Sequence, residues 1–300
     1  MRTLGKLVFA VATVFSIPAM ADGDADAKYK QGLAYKQQGK TDDAIKALES
    51  AVAANPKHGM AWASLGHLYK QKGDVPKAIT AYENATAVLT KDKTLWANLG
   101  MAYYKNKQVD QALVALEKAC RLDPKDAEIR GNLGTVRRQK GDTAGAIVDL
   151  EIATKLKPDD ANYWNNLGVA YRTAKRDDEA MAAYKKATEL SPNDPGFHFN
   201  LGVTYRRKEM TDEAVAEYEK AVGLDPTQAD AWFDLGYMYK EQHESDKAIA
   251  AFDKYIALNA GKDPTSAKAA QEQLDSLKPE PTKPTKPAGK GGKGGKKPGR

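Results

Sequence analysis

Apolar and small residues recur along this chain with two periods. Over short stretches they follow the spacing i, i+3, i+4, i+7, which predicts amphipathic helices. Over longer distances the whole pattern returns every 34 residues, which is the distance from Gly134 to Gly168. Residues 161–194 form one such unit, and it contains Gly168. An equivalent glycine occurs in every unit, and the full set is Gly32, Gly66, Gly100, Gly134, Gly168, Gly202 and Gly236. A fixed period of this length indicates a solenoid, because one unit cannot bury its own apolar face and must stack on its neighbours.

When the unit is numbered from 1 to 34, a few positions hold the same residue in nearly every repeat. Position 8 is glycine and position 20 is alanine in all seven repeats, and position 11 is tyrosine in six, with Arg137 as the exception. All four tryptophans stand at position 4, and position 32 is proline in five repeats. The repeats defined in this way are 25–58, 59–92, 93–126, 127–160, 161–194, 195–228 and 229–262.

These residues at these spacings resemble the tetratricopeptide repeat, a helix–turn–helix unit of the same period. The resemblance covers residues 25–262 and implies an all-α fold, a right-handed superhelical solenoid of seven helical hairpins. We expect the first helix over about positions 1–14 and the second over about 18–31, ended by the position-32 proline. A glycine inside a helix costs about 0.8–1 kcal/mol relative to alanine. We therefore expect the partner helix, which carries the position-20 alanine, to approach position 8 too closely for a side chain.

The segments outside the repeats differ in composition. Residues 1–21 combine Arg2 and Lys6 with an apolar run and the site Ala19-Met20-Ala21, which predicts a secretory signal peptide cleaved near Ala21 and export, in the style of a bacterial periplasmic protein. An uncleaved N-terminal anchor is the alternative. Residues 22–24 are expected to form a polar lead-in, and 263–277 a helix that caps the stack. Residues 278–300 are rich in proline, glycine and lysine, which predicts a disordered basic tail.

The charge of the chain is unevenly distributed. The formal net charge is +6, but the tail contributes +7 and the segment 1–21 contributes +2, which leaves −3 for the segment 22–277. The single cysteine, Cys120, excludes an intramolecular disulfide and is expected to be a small buried residue on the second helix of repeat 3. The four histidines share no metal-ligand spacing, and the glycine–lysine run of the tail lacks the strand and helix that flank a phosphate-binding loop. We therefore expect a protein that is not an enzyme and needs no metal or cofactor.

Two polar rows occupy the side of each first helix opposite its apolar stripe, which in the tetratricopeptide fold lines the concave groove. Position 6 supplies amides that can pair with the main chain of an extended peptide whatever its sequence. They are Asn98, Asn132, Asn166 and Asn200. This row is similar to one in the tetratricopeptide superhelix of the transferase that puts N-acetylglucosamine on Ser and Thr, where asparagines at this repeat position hold peptide backbone. The alternative is that these amides serve hydrogen bonding between helices.

Position 12 is basic in six of the seven repeats. The cations are Lys36, Lys70, Arg138, Arg172, Arg206 and Lys240. Aromatic residues at positions 5 and 9 add candidate apolar anchors, namely Phe199, Phe233 and Tyr237, with Tyr29 near the start. Together these residues predict an extended partner segment that is acidic or ends in a carboxylate. The alternative is that the long basic side chains only solvate the groove. Tyr29 and Leu33 stand where the chaperone-binding carboxylate clamp has lysine and asparagine, which disfavours a chaperone adaptor.

The sequence thus predicts a non-catalytic scaffold for protein–protein interaction in an exported, envelope-associated assembly, of the kind used in secretion, pilus, motility or cell-wall machinery. The basic tail resembles linker-histone tails and leaves open a second function, the binding of nucleic acid or another polyanion. Export would separate the chain from DNA, so an anionic envelope surface is the better target for the tail.

Overall fold

The computed structural model describes residues 17–259 and 264–277, and all regular structure in these ranges is α-helix. The tail 278–300 and residues 1–16 of the expected signal lie outside the described residues. The fifteen described helices are α1 (Ile17–Gln37), α2 (Thr41–Ala54), α3 (Gly59–Lys72), α4 (Val75–Val88), α5 (Lys93–Lys105), α6 (Val109–Leu122), α7 (Ala127–Lys140), α8 (Thr143–Leu156), α9 (Ala161–Thr173), α10 (Asp177–Leu190), α11 (Pro195–Arg207), α12 (Thr211–Leu224), α13 (Ala229–Glu241), α14 (Ser245–Asn259) and α15 (Pro264–Leu277).

The chain forms two compact units, Met1–Lys208 and Glu209–Arg300. The first unit contains helices α1 to α11. Within it each odd-numbered helix from α1 to α9 packs as a hairpin on the helix that follows, and each hairpin packs on the next one. The second unit contains α12 to α15, in which α13 and α14 form a hairpin between α12 and α15. The described part of the chain is thus all-α, with tetratricopeptide-type hairpins in both units and a further helix, α15, after the last hairpin.

The helix bounds follow the repeat closely. From repeat 2 onward the first helix begins at position 1 and ends at position 13 or 14, and the second begins at position 17, one residue earlier than expected. Repeat 1 differs because α1 begins at Ile17, well before Ala25, so that residues 22–24 are helical and do not form a separate lead-in. Pro18 lies in the first turn of α1, where its missing N–H leaves no hydrogen bond broken.

The turn between the two helices of each hairpin has a residue with positive φ at position 15. Three of these residues are glycines, Gly39, Gly73 and Gly141, with φ between 73° and 93°. The other four are Lys107, Lys175, Glu209 and His243, with φ between 58° and 61°. The left-handed region is unfavourable for residues with a Cβ. The backbone is therefore strained at these four positions, and the packing of the two helices must offset that strain.

In six of the seven repeats the glycine at position 8 lies against the second helix of its hairpin, as predicted. A Cβ on Gly168 would stand 2.7 Å from Cδ1 of Tyr184, and one on Gly134 would stand 2.7 Å from Cγ of Leu150. The closest group is therefore the side chain at position 24, and the alanine at position 20 contributes its carbonyl oxygen, 3.1 Å away for Ala146. The reason is that a helical side chain covers the turn that precedes its own Cα, so position 24 covers position 20.

The residue at position 4 joins consecutive repeats through a hydrogen bond to the main chain. The Nε1 atoms of Trp62, Trp96, Trp164 and Trp232 donate to carbonyl oxygens six residues earlier, over 2.9–3.0 Å. Repeat 4 has Arg130 at this position, and its Nε donates to the carbonyl of Pro124 over 3.0 Å. His198 in repeat 6 lies 2.8 Å from the carbonyl of Pro192. Tryptophan, arginine and histidine at position 4 thus each place a side-chain nitrogen within hydrogen-bonding distance of the equivalent main-chain carbonyl.

Repeat 4 contains a buried ionic cluster. Asp149, at position 23 where five repeats have alanine, is fully buried, and its two carboxylate oxygens accept hydrogen bonds from Arg130 (2.7 Å) and Arg137 (2.6 Å). These arginines stand where four repeats have tryptophan and six have tyrosine, and both contact Asp149, so the three exceptional residues form one unit. Cys120 lies nearby, is buried as expected, and burial raises the pKa of its thiol.

Among the described helices, none combines the length and the apolar character that a membrane-spanning helix requires.

Candidate functional site

The asparagines at position 6 are half-buried on successive first helices of the first unit. Oδ1 of Asn98 accepts a hydrogen bond from Nζ of Lys70 over 3.1 Å, and Oδ1 of Asn200 accepts one from Nη1 of Arg172 over 3.3 Å. Each cation precedes its amide by 28 residues, so position 12 of one repeat reaches position 6 of the next. The two rows predicted from the sequence are therefore in contact at these two places. We call the surface formed by the position-6 amides and position-12 cations of the first unit the amide–cation face. Its residues are Lys36, Lys70, Asn98, Asn132, Arg138, Asn166, Arg172, Asn200 and Arg206.

One amide of this face also bonds to a neighbouring first helix. Nδ2 of Asn200 donates to Oδ1 of Asn165 on α9 over 3.0 Å. The position-6 amide in this repeat thus takes part in the hydrogen bonding between helices that the sequence left open as an alternative. Asn132 and Asn166 are half-buried on α7 and α9.

A cavity of about 80 Å³ brings three of the predicted residues, Lys70, Asn98 and Asn132, together on α3, α5 and α7. Asp126 and Glu128 line the same cavity, so the face is less uniformly basic here than the sequence suggested. The carboxylate of Asp126 is held by Lys93, whose Nζ lies 2.8 Å away. Burial raises the pKa of Asp126, but the hydrogen bonds from Lys93 and from the main chain outweigh it, and the pKa is lowered overall.

The first repeats of the face have a positive local field. His67, at position 9 of α3, has a pKa below its usual value, first because of partial burial and then because of the positive charges of Lys36 and Lys70. Both lysines are exposed. The two position-12 cations of repeats 1 and 2 therefore both contribute positive charge near His67.

A second cationic region lies on α7 and α9. Arg138 and Arg172 are half-buried there, and the guanidinium of Arg172 lies 5.7 Å from the ring centroid of Tyr184. Tyr184 is fully buried, and burial raises its pKa to about 12. The positive charges of Arg172 and Arg138 lower the pKa, but by less than burial raises it. Arg206, the next cation of the row, is exposed on α11, where Phe199 is half-buried.

In the second unit the predicted binding residues are engaged by the chain itself. Nζ of Lys240 donates to Gln273 (2.7 Å) and Ser276 (3.3 Å) on α15. Helix α15 thus accepts hydrogen bonds from a cation that the sequence assigned to a ligand.

The two aromatic anchors of the second unit are also packed inside it. The rings of Phe233 and Tyr237 lie 5.0 Å apart, and each packs edge-on against Phe252 of α14. Phe233 also lies 4.8 Å from the ring of Tyr255, which fills position 27 where the other repeats have alanine. The larger residue extends the aromatic packing of the last hairpin to include both anchors.

The sequence interpretation missed the tyrosines at position 24. Tyr82 and Tyr184 are buried with hydroxyl oxygens that have no hydrogen-bond partner among the described residues. A tyrosine at a core position where other repeats have leucine or phenylalanine is the signal that could have drawn attention to them. The described residues contain no group of histidine, cysteine, aspartate or glutamate side chains arranged to hold a metal ion.

Comparison with known proteins identifies the family and supports the fold. The family model for the C-terminal domain of cilia and flagella-associated protein 70 matches residues 7–231, and a tetratricopeptide repeat model matches residues 199–267. No curated protein sequence matches the chain.

Three solved structures illustrate the similarity in fold. A tetratricopeptide repeat protein from Parabacteroides merdae ATCC 43184 matches with a TM-score of 0.63 at 17% identity, over 85% of this chain and 99% of that one. YrrB, a tetratricopeptide repeat protein with an unusual peptide-binding site, matches with a TM-score of 0.53 at 24% identity, over 64% and 98%. The Cut9–Hcn1 hetero-tetramer of the APC/C matches with a TM-score of 0.57 at 26% identity, over 72% of this chain but only 43% of the matched chain. The family match over most of the sequence and the repeated helical hairpins show that the chain belongs to the tetratricopeptide repeat family.

Proposed function

We propose that the chain is a non-catalytic scaffold of an exported, envelope-associated assembly and that its amide–cation face binds an extended acidic segment of a partner protein. One observation carries this proposal. The hydrogen bonds of Lys70 and Arg172 go to neutral amides, so these cations keep their charge for an incoming carboxylate. Binding a free carboxylate at such a site is favourable because a charge-assisted hydrogen bond contributes about 1.5–3 kcal/mol.

The basic residues just beyond position 12 provide a contrast. Lys72, Lys140 and Lys208, all at position 14, pair with aspartates at position 18 of the preceding repeat. These lysines are already neutralised by the chain's own acids, on a body whose net charge is −3 over the segment 22–277. The different pairing of positions 12 and 14 supports a ligand-binding role for position 12 alone.

A protein partner is also favoured by the similarity to Cut9–Hcn1. That protein is part of a hetero-tetramer of the APC/C, and the present chain is 26% identical to the matched region. Arrays of helical hairpins offer extended surfaces that other chains can follow over several repeats.

Export is supported by residues 1–21, which have the basic, apolar and small-residue regions of a signal peptide. The tail 278–300 has eight basic residues and one acid. In an envelope it would be attracted to anionic lipid by about 1 kcal/mol per basic residue near the surface. The same composition makes the binding of nucleic acid or another polyanion the second candidate function. An N-terminal sequence that begins at Asp22, from protein in a periplasmic fraction, would support export, whereas a cytoplasmic protein that keeps Met1 would favour the second candidate.

The binding face is tested with two variants of equal charge. One changes Arg138→Gln, Arg172→Gln and Arg206→Gln on the amide–cation face, and the control changes Lys72→Gln, Lys140→Gln and Lys208→Gln. The probe is a fluorescein-labelled peptide of alternating glutamate and serine, about 12 residues long, which spans about 40 Å when extended. We expect the face variant to weaken binding by at least about tenfold and to reduce its salt dependence, and the control to change it by less than about threefold. Equal losses in both variants would show attraction by net charge alone and would contradict a specific face.

A further inference from the structure

Three repeats carry a tyrosine at position 24, and their hydroxyl groups differ in hydrogen bonding. In the second unit, the hydroxyl of Tyr218 donates to Oδ2 of Asp234 over 3.1 Å. Asp234 stands 16 residues later, at position 6 of the following repeat. Tyr82 and Tyr184 are just as buried, with 1% and 0% of their surface exposed, but their hydroxyls have no acceptor among the described residues.

The repeat relates these two tyrosines to the amide–cation face. By the same spacing as between Tyr218 and Asp234, Tyr82 corresponds to Asn98 and Tyr184 to Asn200. In both cases the oxygen of the amide is held by a cation, Lys70 or Arg172. The guanidinium of Arg172, which donates to Asn200, also lies 5.7 Å from the ring centroid of Tyr184.

In each of these two sets one hydrogen-bond donor, the tyrosine hydroxyl, has no acceptor among the described residues. In each set the cation, and not the buried phenol, is bonded to the amide oxygen. A buried donor without a partner destabilises the protein, because it has lost its hydrogen bonds to water and gained none in return. Where position 6 is a carboxylate, at Asp234, the phenol is satisfied. In the sets with asparagine the amide oxygen is held by the cation, and the phenol has no acceptor in the described part of the chain.

We propose that the sets Lys70–Tyr82–Asn98 and Arg172–Tyr184–Asn200 are carboxylate-exchange sites, in which an incoming carboxylate draws the cation off the amide and the buried tyrosine hydroxyl then donates to the released amide oxygen. The proposal rests on the proposed function and specifies the chemistry recognised at two places on that face. The tyrosine never touches the ligand and acts as a positioning residue. Binding adds one hydrogen bond to the protein and removes an unsatisfied donor, so each tyrosine should increase the affinity for carboxylates.

The test removes only the hydroxyl groups. Tyr82→Phe, Tyr184→Phe and the double variant are compared with Tyr218→Phe, whose hydroxyl is already bonded. Thermal unfolding is measured without peptide, and affinity is measured by fluorescence anisotropy. We expect Tyr82→Phe and Tyr184→Phe to unfold at the same or a higher temperature than the wild type, since each deletes an unsatisfied group. Each should weaken binding of the glutamate–serine peptide about fivefold, which corresponds to one hydrogen bond. Tyr218→Phe should lower the unfolding temperature and leave the affinity unchanged.

Two peptides distinguish the source of the carboxylate. One is the glutamate–serine peptide with an amidated C-terminus, and the other is a glutamine–serine peptide with a free terminal carboxylate. A tyrosine-dependent affinity for the first supports side-chain carboxylates, and one for the second supports a chain end.

The possible failures are separable. If the wild type binds neither peptide, the proposed binding face itself is wrong, and the exchange sites with it. If it binds and both phenylalanine variants bind equally well, the exchange is refuted while the scaffold function stands. If Tyr82→Phe and Tyr184→Phe lower the unfolding temperature as much as Tyr218→Phe does, the hydroxyls are already bonded in the free protein, which also refutes the exchange.

Discussion

The hydroxyl of Tyr171 donates a 2.7 Å hydrogen bond to Oε1 of Glu151, twenty residues earlier in the preceding repeat. The same link between positions 11 and 25 recurs in other repeats, as Tyr69–Glu49, Tyr103–Glu83 and Tyr239–Glu219. In repeat 4, Arg137 reaches Glu117 instead. Lys185 takes the place of the glutamate opposite Tyr205, and its Nζ lies 5.5 Å from the ring centroid. The position-11 residue thus contacts position 25 of the preceding repeat in each case, through a hydrogen bond to glutamate or through a lysine placed over the tyrosine ring.

The first prediction concerns this link. Tyr171→Phe should lower the free energy of unfolding by about 1–2 kcal/mol, because it leaves a partly buried carboxylate without its donor. Glu151→Gln should have a similar effect, and the double variant should lose less than the sum of the two. Tyr205→Phe, whose partner is Lys185, is the control and should lose less than Tyr171→Phe. Urea unfolding followed by circular dichroism gives these values, and strict additivity would show that the two side chains do not interact.

The second prediction concerns the buried cluster of repeat 4. Asp149→Ala should lower the free energy of unfolding by about 3–5 kcal/mol, because two arginines lose the buried carboxylate that pairs with them. The triple variant Arg130→Trp, Arg137→Tyr and Asp149→Ala installs the commonest residue of the other repeats at each position. It should be at least as stable as the wild type, since replacing a whole buried ionic cluster by packed residues is often neutral or stabilising. A triple variant as unstable as Asp149→Ala would show that the cluster stabilises this repeat in a way that packing cannot replace.

The fold was predictable because seven copies of one pattern give independent evidence for each position. Gly168 and its counterparts indicated a close helix pair, and the helices from repeat 2 onward begin and end close to expectation. The early start of α1 at Ile17 was not predicted, because the alanines before Ala25 are good helix formers that the repeat pattern does not cover. The contact of position 24 with the glycine was missed because it depends on side-chain direction rather than on spacing.

The candidate site was less predictable than the fold. The positions of Lys70 and Asn98 on one helix face follow from periodicity, but their mutual hydrogen bond depends on the offset between adjacent repeats. Lys240 was expected to bind a ligand, and only the packing of α15 shows that Gln273 takes up its ammonium group. Asp149 was overlooked because position 23 is not one of the recurring positions, although its partner Arg137 was recognised as an exception.

The third prediction concerns the turn at position 15. Gly141 has φ of 93°, so Gly141→Ala should lower the free energy of unfolding by about 1 kcal/mol or more. Lys175, at φ 59°, already bears this strain, and Lys175→Gly should raise stability by up to about 1 kcal/mol. Gly223→Ala is the matched control, because Gly223 is helical and exposed and an added Cβ would meet nothing within 4 Å. It should stabilise the helix by about 0.5–1 kcal/mol. Destabilisation by Lys175→Gly would show that its side-chain contacts outweigh the backbone strain.

The fourth prediction concerns alkaline pH. Burial raises the pKa of Tyr184 to about 12, from 10 in its ordinary environment. A raised pKa means that the folded state favours the neutral phenol. The stability that it contributes is therefore fully present below pH 10 and is lost as the pH rises through 12. Since one pKa unit corresponds to about 1.4 kcal/mol, the loss amounts to about 2–3 kcal/mol for this fully buried group. The pKa of Tyr82 is raised to about 12 for the same reason, so the two effects should add.

Tyr82→Phe and Tyr184→Phe remove these two titrations, and the variants should accordingly lose less stability than the wild type between pH 9 and pH 12. The measurement is the urea midpoint at several pH values, together with the absorbance of ionised tyrosine near 295 nm, which reports when the phenols titrate. Because both hydroxyls lack a hydrogen-bond partner among the residues that the structure describes, the variants should match or exceed the wild type at pH 7 and gain on it steadily above pH 10. Parallel stability curves for the variants and the wild type would mean that these phenols ionise at their ordinary pKa, which would require water to reach both hydroxyl groups in the folded protein.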